Sequence, residues 1–254
     1  MSLTVGTVLW GVFGLVVGSF LNVCIYRLPR GESIIFPPSR CPDCREKLRP
    51  RDLVPLFSYL WLRGRCRNCR APISPRYPLV ELATAILFAG FSVTLEGKPL
   101  ILLKYLFLIS LLVAISFIDL EHYLIPNEMI ITGLIGGIGF NLAAGDLNLL
   151  QVLVGTLIPP LLFLLLALAS RGGMGMGDVK LGAVLGLFLG WPRVMEALFL
   201  GCLLAGAVAL GLLITRRLGR KDPIPLGPFL ATGTIVTLFW GPQLWNWYAA
   251  FFFR

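Results

Sequence analysis

Four of the chain's six cysteines fall into two pairs of one spacing, Cys41-Pro42-Asp43-Cys44 and Cys66-Arg67-Asn68-Cys69, with 21 residues between the pairs. Thiolates in that pattern are the ligand set of tetrahedral zinc, each pair supplying one side of the site. Four thiolates leave no open coordination position, so the metal's role would be structural rather than catalytic. A disulfide pair would staple the same segment, but only in an oxidising compartment. Cys24 and Cys202 stand alone in apolar runs and read as small core residues.

The second constellation is acidic. A carboxylate placed in a membrane helix costs roughly 2.5–3.5 kcal/mol on insertion scales, so each one asks for a reason. Asp119 follows the apolar run ending Ser116-Phe117-Ile118, and Asp178 follows Gly173-Met174-Gly175-Met176-Gly177. Two carboxylates brought together share a proton, because like charges at close range do not both ionise. One then acts as base on a water while the other donates to a scissile carbonyl. Gly175 and Gly177 would let backbone, or an extended substrate, approach Asp178 closely. The plain alternatives are an N-cap role for Asp178, an interfacial position for Asp119 and a flexible link from Gly172 to Gly177. A proton-coupled transporter would also place paired acids in membrane helices. His122, the only histidine, stands close enough in sequence to tune Asp119, or is simply an interfacial polar residue. Met174 and Met176 read as packing residues.

These residues need elements to hold them, and the composition says which. Hydrophobic residues make up 57% of the chain and charged residues 14%, with a mean hydropathy of +0.83. A soluble domain of this length needs more charge than that to cover its surface. Leu3–Tyr26, Leu147–Ser170 and Pro223–Phe253 carry no charge, and such blocks are read as membrane spans. The expected fold is an all-α polytopic membrane protein of about eight transmembrane helices with a small zinc-binding loop domain. Residues 1–26 form the first span, 27–77 the cysteine loop and 78–254 the remaining spans. Met1–Val5 has no basic residue, which favours a retained first helix over a cleaved signal peptide.

Charge sets the orientation. Between Arg27 and Arg76 there are twelve Lys and Arg against four Asp and Glu, so eight of the nine net positive charges sit in one loop. Such a loop is retained in the cytoplasm. Its basic character suits anionic lipid headgroups as a partner better than nucleic acid. Counting onward gives spans at Pro78–Thr94, Leu100–Ile118, Glu128–Ala144, Leu149–Ser170 and Val194–Thr215, and a last one near the C-terminus. Leu181–Trp191 is too short to cross about 30 Å of hydrocarbon. A crossing there nevertheless keeps Arg216, Arg217, Arg220 and Lys221 in the cytoplasm, so that span is thinned or extended into the glycine-rich segment before it. Both termini then lie outside, and Asp119 and Asp178 share the cytoplasmic side with the loop.

With these residues in place, the chain resembles the type IV prepilin peptidase family of GxGD intramembrane aspartyl proteases. Gly175-Met176-Gly177-Asp178 fits its hallmark, and Asp119 in Ile118-Asp119-Leu120-Glu121-His122, with Ile125-Pro126-Asn127, fits its first-aspartate segment. Gly18–Val23 through Tyr26–Pro29, Pro38–Pro42, Tyr77–Glu81 and Ile224–Pro228 also match. The resemblance implies cleavage of leader peptides from type IV prepilins or pseudopilins at the cytoplasmic face of the bacterial inner membrane, with Asp119 and Asp178 catalytic. It implies N-methylation of the new terminus with S-adenosylmethionine, a function associated with the cysteine-bearing loop. Gly64 matches a family glycine tied to methyl transfer, or is a turn glycine. Glu81 matches a family acid without an assigned role. The rival classes, a transporter and a zinc-loop membrane scaffold or nucleic-acid binder, each use one of the two constellations; only the bifunctional peptidase uses both.

Overall fold

Nine α-helices and two short 3₁₀ turns form the regular structure of residues 3–169, 174–216, 219 and 222–252, which are those the computed structural model describes. Among them the only extended pairing is two isolated bridges, Arg40 with Lys47 and Arg65 with Pro72, so the all-α expectation holds. The chain divides into two compact units, Met1–Leu102 and Leu103–Arg254.

The first unit contains α1 (Leu3–Arg27), the loop with the short helix α2 (Phe57–Trp61), and α3 (Arg76–Thr94). Gly14 meets Ala85 and Gly18 meets Glu81 so closely that a Cβ on either glycine would stand 2.7 Å from the neighbour's Cα. Helices in lipid lack a hydrophobic drive toward each other and associate through such small-residue contacts. The outer face of α1 exposes Val5, Val8, Leu9, Val12, Phe13, Val16 and Phe20, a surface suited to lipid and not to water.

The second unit contains α4 (Pro99–His122, its first turn straddling the division), α5 (Asn127–Ala144), α6 (Leu149–Ala169), α7 (Met176–Leu189), α8 (Arg193–Ile214) and α9 (Gly227–Phe252). Leu108, Ile109, Leu112, Ala114 and Ile118 of α4 are fully buried and form the centre of its core. The α6–α7 and α8–α9 pairs again touch through glycines: Gly186 lies on the Gly155 carbonyl, and Gly233 on Ala197 and Gly201. A methyl group has no room at Gly186 or Gly233.

Eight helices other than α2 stand where eight spans are expected, and five of them (α1, α3, α4, α6 and α8) are long and apolar enough to cross a membrane by length and composition. The awkward run at Leu181–Trp191 becomes α7, which starts earlier, at Met176, yet has only 14 residues, about 21 Å of helix. Buried polar contacts secure its far end. Asn141 Nδ2 donates to Leu187 O at 2.7 Å, and Lys104, fully buried, donates to Asn141 Oδ1 at 2.7 Å and to both Asp146 oxygens at 2.9 and 3.0 Å. A charge held in that environment needs such partners.

One boundary differs from expectation in a way that matters for the site. The sequence reading ends the third span at Ile118 and makes Asp119–Pro126 a connection. The helix instead runs to His122, so Asp119 is a buried helical residue. Tyr123 stops it with a left-handed φ of 54° while its N–H bonds Asp119 O, and Pro126 disfavours helix at Ile125. Ser170, Arg171, Gly172 and Gly173, and Arg217, Arg220 and Lys221 of the basic cluster, lie outside the described residues.

Candidate active site and metal centre

The two aspartates sit on opposite kinds of helix end. Asp119 lies in the last turns of α4, and Asp178 in the first turn of α7, three residues after the N-cap Gly175. Contacts inside the second unit join these ends. The Gly227 N–H at the start of α9 donates to Asp119 Oδ2 at 2.8 Å, across 108 residues of sequence. The Gly175 backbone N–H is directed at the Asp178 carboxylate, and the two carboxylates lie within electrostatic range of each other. Lys180 Nζ bonds Asn127 Oδ1 at 2.8 Å, fastening α7 to the start of α5. Asp119 thus accepts a glycine N–H from α9, and Asp178 has a glycine N–H directed at it from the start of its own helix.

The glycines of the GxGD segment have separate roles. A Cβ on Gly175 would meet Asp178 Oδ2 at 3.3 Å and little else. A Cβ on Gly177 would press on Ile125 at 3.0 Å, so that glycine exists to let the Ile125-Pro126-Asn127 segment pass. Gly227 is the residue whose role sequence reasoning missed. A Cβ there would stand 2.8 Å from Asp119 Oδ2. Its only signal in the sequence is its place in the Ile224–Pro228 segment. His122 reaches Glu121 at 4.0 Å.

The four loop cysteines converge as their spacing suggests. All six cysteines are free, and the Sγ atoms of Cys41, Cys44, Cys66 and Cys69 lie within 4.8 Å of one another. Cys41 and Cys69 are 3.8 Å apart. Zinc–sulfur bonds of about 2.3 Å at tetrahedral angles put sulfurs ~3.8 Å apart. The cluster therefore fits a metal of that kind and not a disulfide, whose sulfurs are bonded at about 2.05 Å.

Local hydrogen bonding builds the cluster from two copies of one hairpin. Cys41 N donates to Glu46 O and Arg45 N to Cys41 O; twenty-five residues on, Cys66 N donates to Ala71 O and Arg70 N to Cys66 O. Arg45 and Arg70 occupy the same left-handed position, with φ of 58° and 62°. Each hairpin aims backbone N–H groups at its first sulfur. Those of Cys69 and Asn68 draw the Cys66 thiol down to about 7, whereas burial pushes Cys41 up.

The loop is tied to the helices by buried polar residues. Arg27 donates to Ser33 O at 2.8 Å and Pro37 O at 2.6 Å, and Asn22 Nδ2 to Tyr77 O at 3.0 Å. Glu81, itself buried in α3, accepts from Leu56 N at 2.8 Å and bonds Ser19 of α1. That gives Glu81 a structural task that its sequence position does not disclose. Gly64 opens the second hairpin, with its oxygen accepting Ile73 N–H as Ser39 O accepts Leu48 N–H in the first. Its φ is +66°, and a Cβ would meet the Tyr59 hydroxyl at 3.0 Å, so the turn itself requires glycine. A cavity of about 940 Å³ lies inside this unit, lined among others by Asn22, Tyr26, Tyr59, Arg76, Tyr77 and Glu81.

Comparison with known proteins divides the chain in nearly the same place as its packing. The bacterial peptidase A24 N-terminal domain matches residues 12–95, and the type IV leader peptidase family matches residues 106–210. A protein of Aeromonas hydrophila named prepilin leader peptidase/N-methyltransferase is 38% identical over 269 residues, covering 93% of this chain and 91% of its own length. One of the same name from Bacillus subtilis is 35% identical over 245 residues, covering 93% and 95%. Another, from Klebsiella pneumoniae, is 41% identical over 209 residues, covering 76% and 90%. No solved structure matches the chain.

Proposed function

The chain belongs to the type IV leader peptidase family, and from that membership we propose that it removes the leader peptide of type IV prepilins or pseudopilins and then N-methylates the new N-terminus. The transporter and scaffold readings fall away with it. What supports the peptidase reading is that Asp119, bonded by the Gly227 N–H, and Asp178, in the first turn of α7, lie within electrostatic range of each other. One carboxylate, ionised, takes a proton from water, and the other, protonated, donates to the scissile carbonyl oxygen. Collapse of the tetrahedral intermediate expels the amine, which leaves with a proton from the dyad.

Residues 27–77 are assigned to methyl transfer and residues 78–254 to the peptidase, with residues 1–26 as the first span. Cys41, Cys44, Cys66 and Cys69 hold a structural zinc. S-adenosylmethionine, when bound, supplies an electrophilic methyl group for the freed amine. The cavity of the first unit is the site for it: its lining mixes tyrosines and arginines, with Arg30 stacked on Tyr26 and Arg76 on Tyr77, the residue types that hold a purine and a carboxylate. Gly64 bears on that cavity through Tyr59, a lining residue that packs against it. The loop and both aspartates are placed at the cytoplasmic face of the bacterial inner membrane, with both termini outside. The basic loop faces anionic lipid and not nucleic acid.

The test uses purified protein, a prepilin and S-adenosylmethionine in detergent, followed by mass, because leader loss and methyl addition are distinct shifts. Asp119→Asn and Asp178→Asn are each expected to abolish leader removal in a folded protein. Asp178→Asn is expected still to methylate pilin supplied already cut. Near-normal cleavage by either variant overturns the dyad.

A further inference from the structure

One apolar surface of the first unit lies outside the long helices and is explained by neither activity. In the segment before and through α2, Leu53 and Val54 are exposed at 43% and 45%, Phe57 and Leu60 at 69% and 70%, and Trp61 at 83%. Phe57, Leu60 and Trp61 recur at helical spacing and share one face of α2. The intervening Ser58 and Tyr59 turn inward, and Tyr59 lies against Gly64. A water-facing loop does not favour an ordered face of Phe, Leu and Trp.

The depth of this segment says what covers it. The loop's two ends are marked by Arg27 at the end of α1 and Arg76 at the start of α3. Glu81 is five residues inside α3, about 8 Å along its axis. Its side chain tilts back toward the N-terminus of the helix. Its bond to Leu56 N therefore holds the chain just ahead of α2 beside the first turns of a membrane span, not above them. At the same level, Leu79 and Leu82 of α3 and Phe20 of α1 are also exposed. Arg51, Arg63 and Arg65 are exposed on either side of the segment. Aromatic residues flanked by cations at that depth match the boundary between acyl chains and anionic headgroups.

We propose that residues 53–61 form an interfacial anchor, with Phe57, Leu60 and Trp61 of α2 inserted into the cytoplasmic leaflet of the membrane that the helices cross. The anchor has a geometric consequence. Gly64 N bonds Tyr59 O, so the second cysteine hairpin starts directly from α2 and its height above the bilayer is set by it. The loop's cavity is thereby held at the surface from which a membrane-embedded substrate's new N-terminus emerges.

The full-length protein, reconstituted in mixed phosphatidylcholine and phosphatidylglycerol vesicles, tests this by tryptophan fluorescence. Subtracting the emission of Trp61→Phe from that of the unaltered chain isolates Trp61 from the other tryptophans. The difference emission is expected to be blue-shifted, and quenched several-fold more by lipids brominated near the headgroup than by lipids brominated at the chain ends. A red, unquenched difference emission would place Trp61 in water and overturn the anchor. A photoreactive residue in place of Leu60 provides the second reading. Lipid adducts support the proposal, whereas cross-links to residues 103–254 or to a second chain would show that protein covers the surface instead.

Discussion

The cysteine cluster and the aspartate pair are built by opposite strategies. The four cysteines span residues 41–69, and two repeated hairpins with their own backbone bonds bring them together. The aspartate site draws on α4, the Ile125–Asn127 link, α7 and α9, and its longest hydrogen bond joins residues 108 apart. A site assembled locally tolerates distant change but depends on its staple, since a loop of this size has little core. A site assembled from packed helices has no staple, and its accuracy rests on close approaches that a single methyl group can spoil.

The sharpest way to break this contrast is Gly227→Ala. The new Cβ would stand 2.8 Å from Asp119 Oδ2 and 3.4 Å from its Cβ and Cγ, so the carboxylate must turn away from the N–H it now accepts. Displacing a reacting group by about 1 Å costs on the order of 10²-fold in rate. Leader removal should fall by about that factor, with methylation of already-cut pilin unchanged. A fall of less than about threefold, too small for a displaced reacting group, would mean that the Gly227 contact does not position Asp119.

The two strategies also explain what was legible beforehand. Metal-ligand spacing is a local property, so the four cysteines could be read without any knowledge of the fold. The spans were readable because hydrocarbon thickness imposes long apolar runs, and α7 resisted because polar bonds at Asn141 and Gln151, not length, hold its far end. Asp119 and Asp178 stood out as costly acids on one side of the membrane and could be read as a pair, but nothing in their separation required it; the resemblance favoured the pair over an N-cap, an interfacial acid or a transporter. The Gly227–Asp119 and Leu56–Glu81 bonds were not legible for the same reason, being contacts between distant segments. The end of α4 was misplaced because polarity marks where a helix leaves the apolar layer, not where its hydrogen bonds stop.

The loop's dependence on its staple gives the intermediate effect. Cys41→Ser combined with Cys69→Ser removes one ligand from each hairpin. Metal content is expected to drop from about one per chain to near none, because two remaining thiolates do not hold a structural zinc. Methyl transfer should be lost with it, while leader removal persists, as the bond from Gly227 to Asp119 and the packing around Asp178 described above lie inside the second unit. Parallel loss of both activities would show that the loop is a structural part of the peptidase, and the contrast between the two regions would collapse.

The smallest expected effect lies where the loop is reinforced without its metal. Arg67, inside the second cysteine pair, donates to Asp52 Oδ1 from Nε at 2.8 Å and from a terminal nitrogen at 2.6 Å, and Asp52 also accepts Arg49 N–H. The Arg67 hydrogen bonds hold the Asp52 carboxyl below its ordinary range. A carboxyl whose folded pKa is depressed contributes stability that is fully present above its unfolded pKa, near 3.9, and is lost as pH falls through the lower folded value. Asp52→Asn should therefore lower the loop's resistance to proteolysis by the same small amount anywhere between pH 6 and 8. The gap between variant and unaltered protein should close only in acid, and should narrow with added salt, since Arg67 is open to solvent. A gap that widened as pH fell, or a loss of metal at neutral pH as large as in the cysteine variant, would show that this ion pair and not the thiolate cluster holds the two hairpins together.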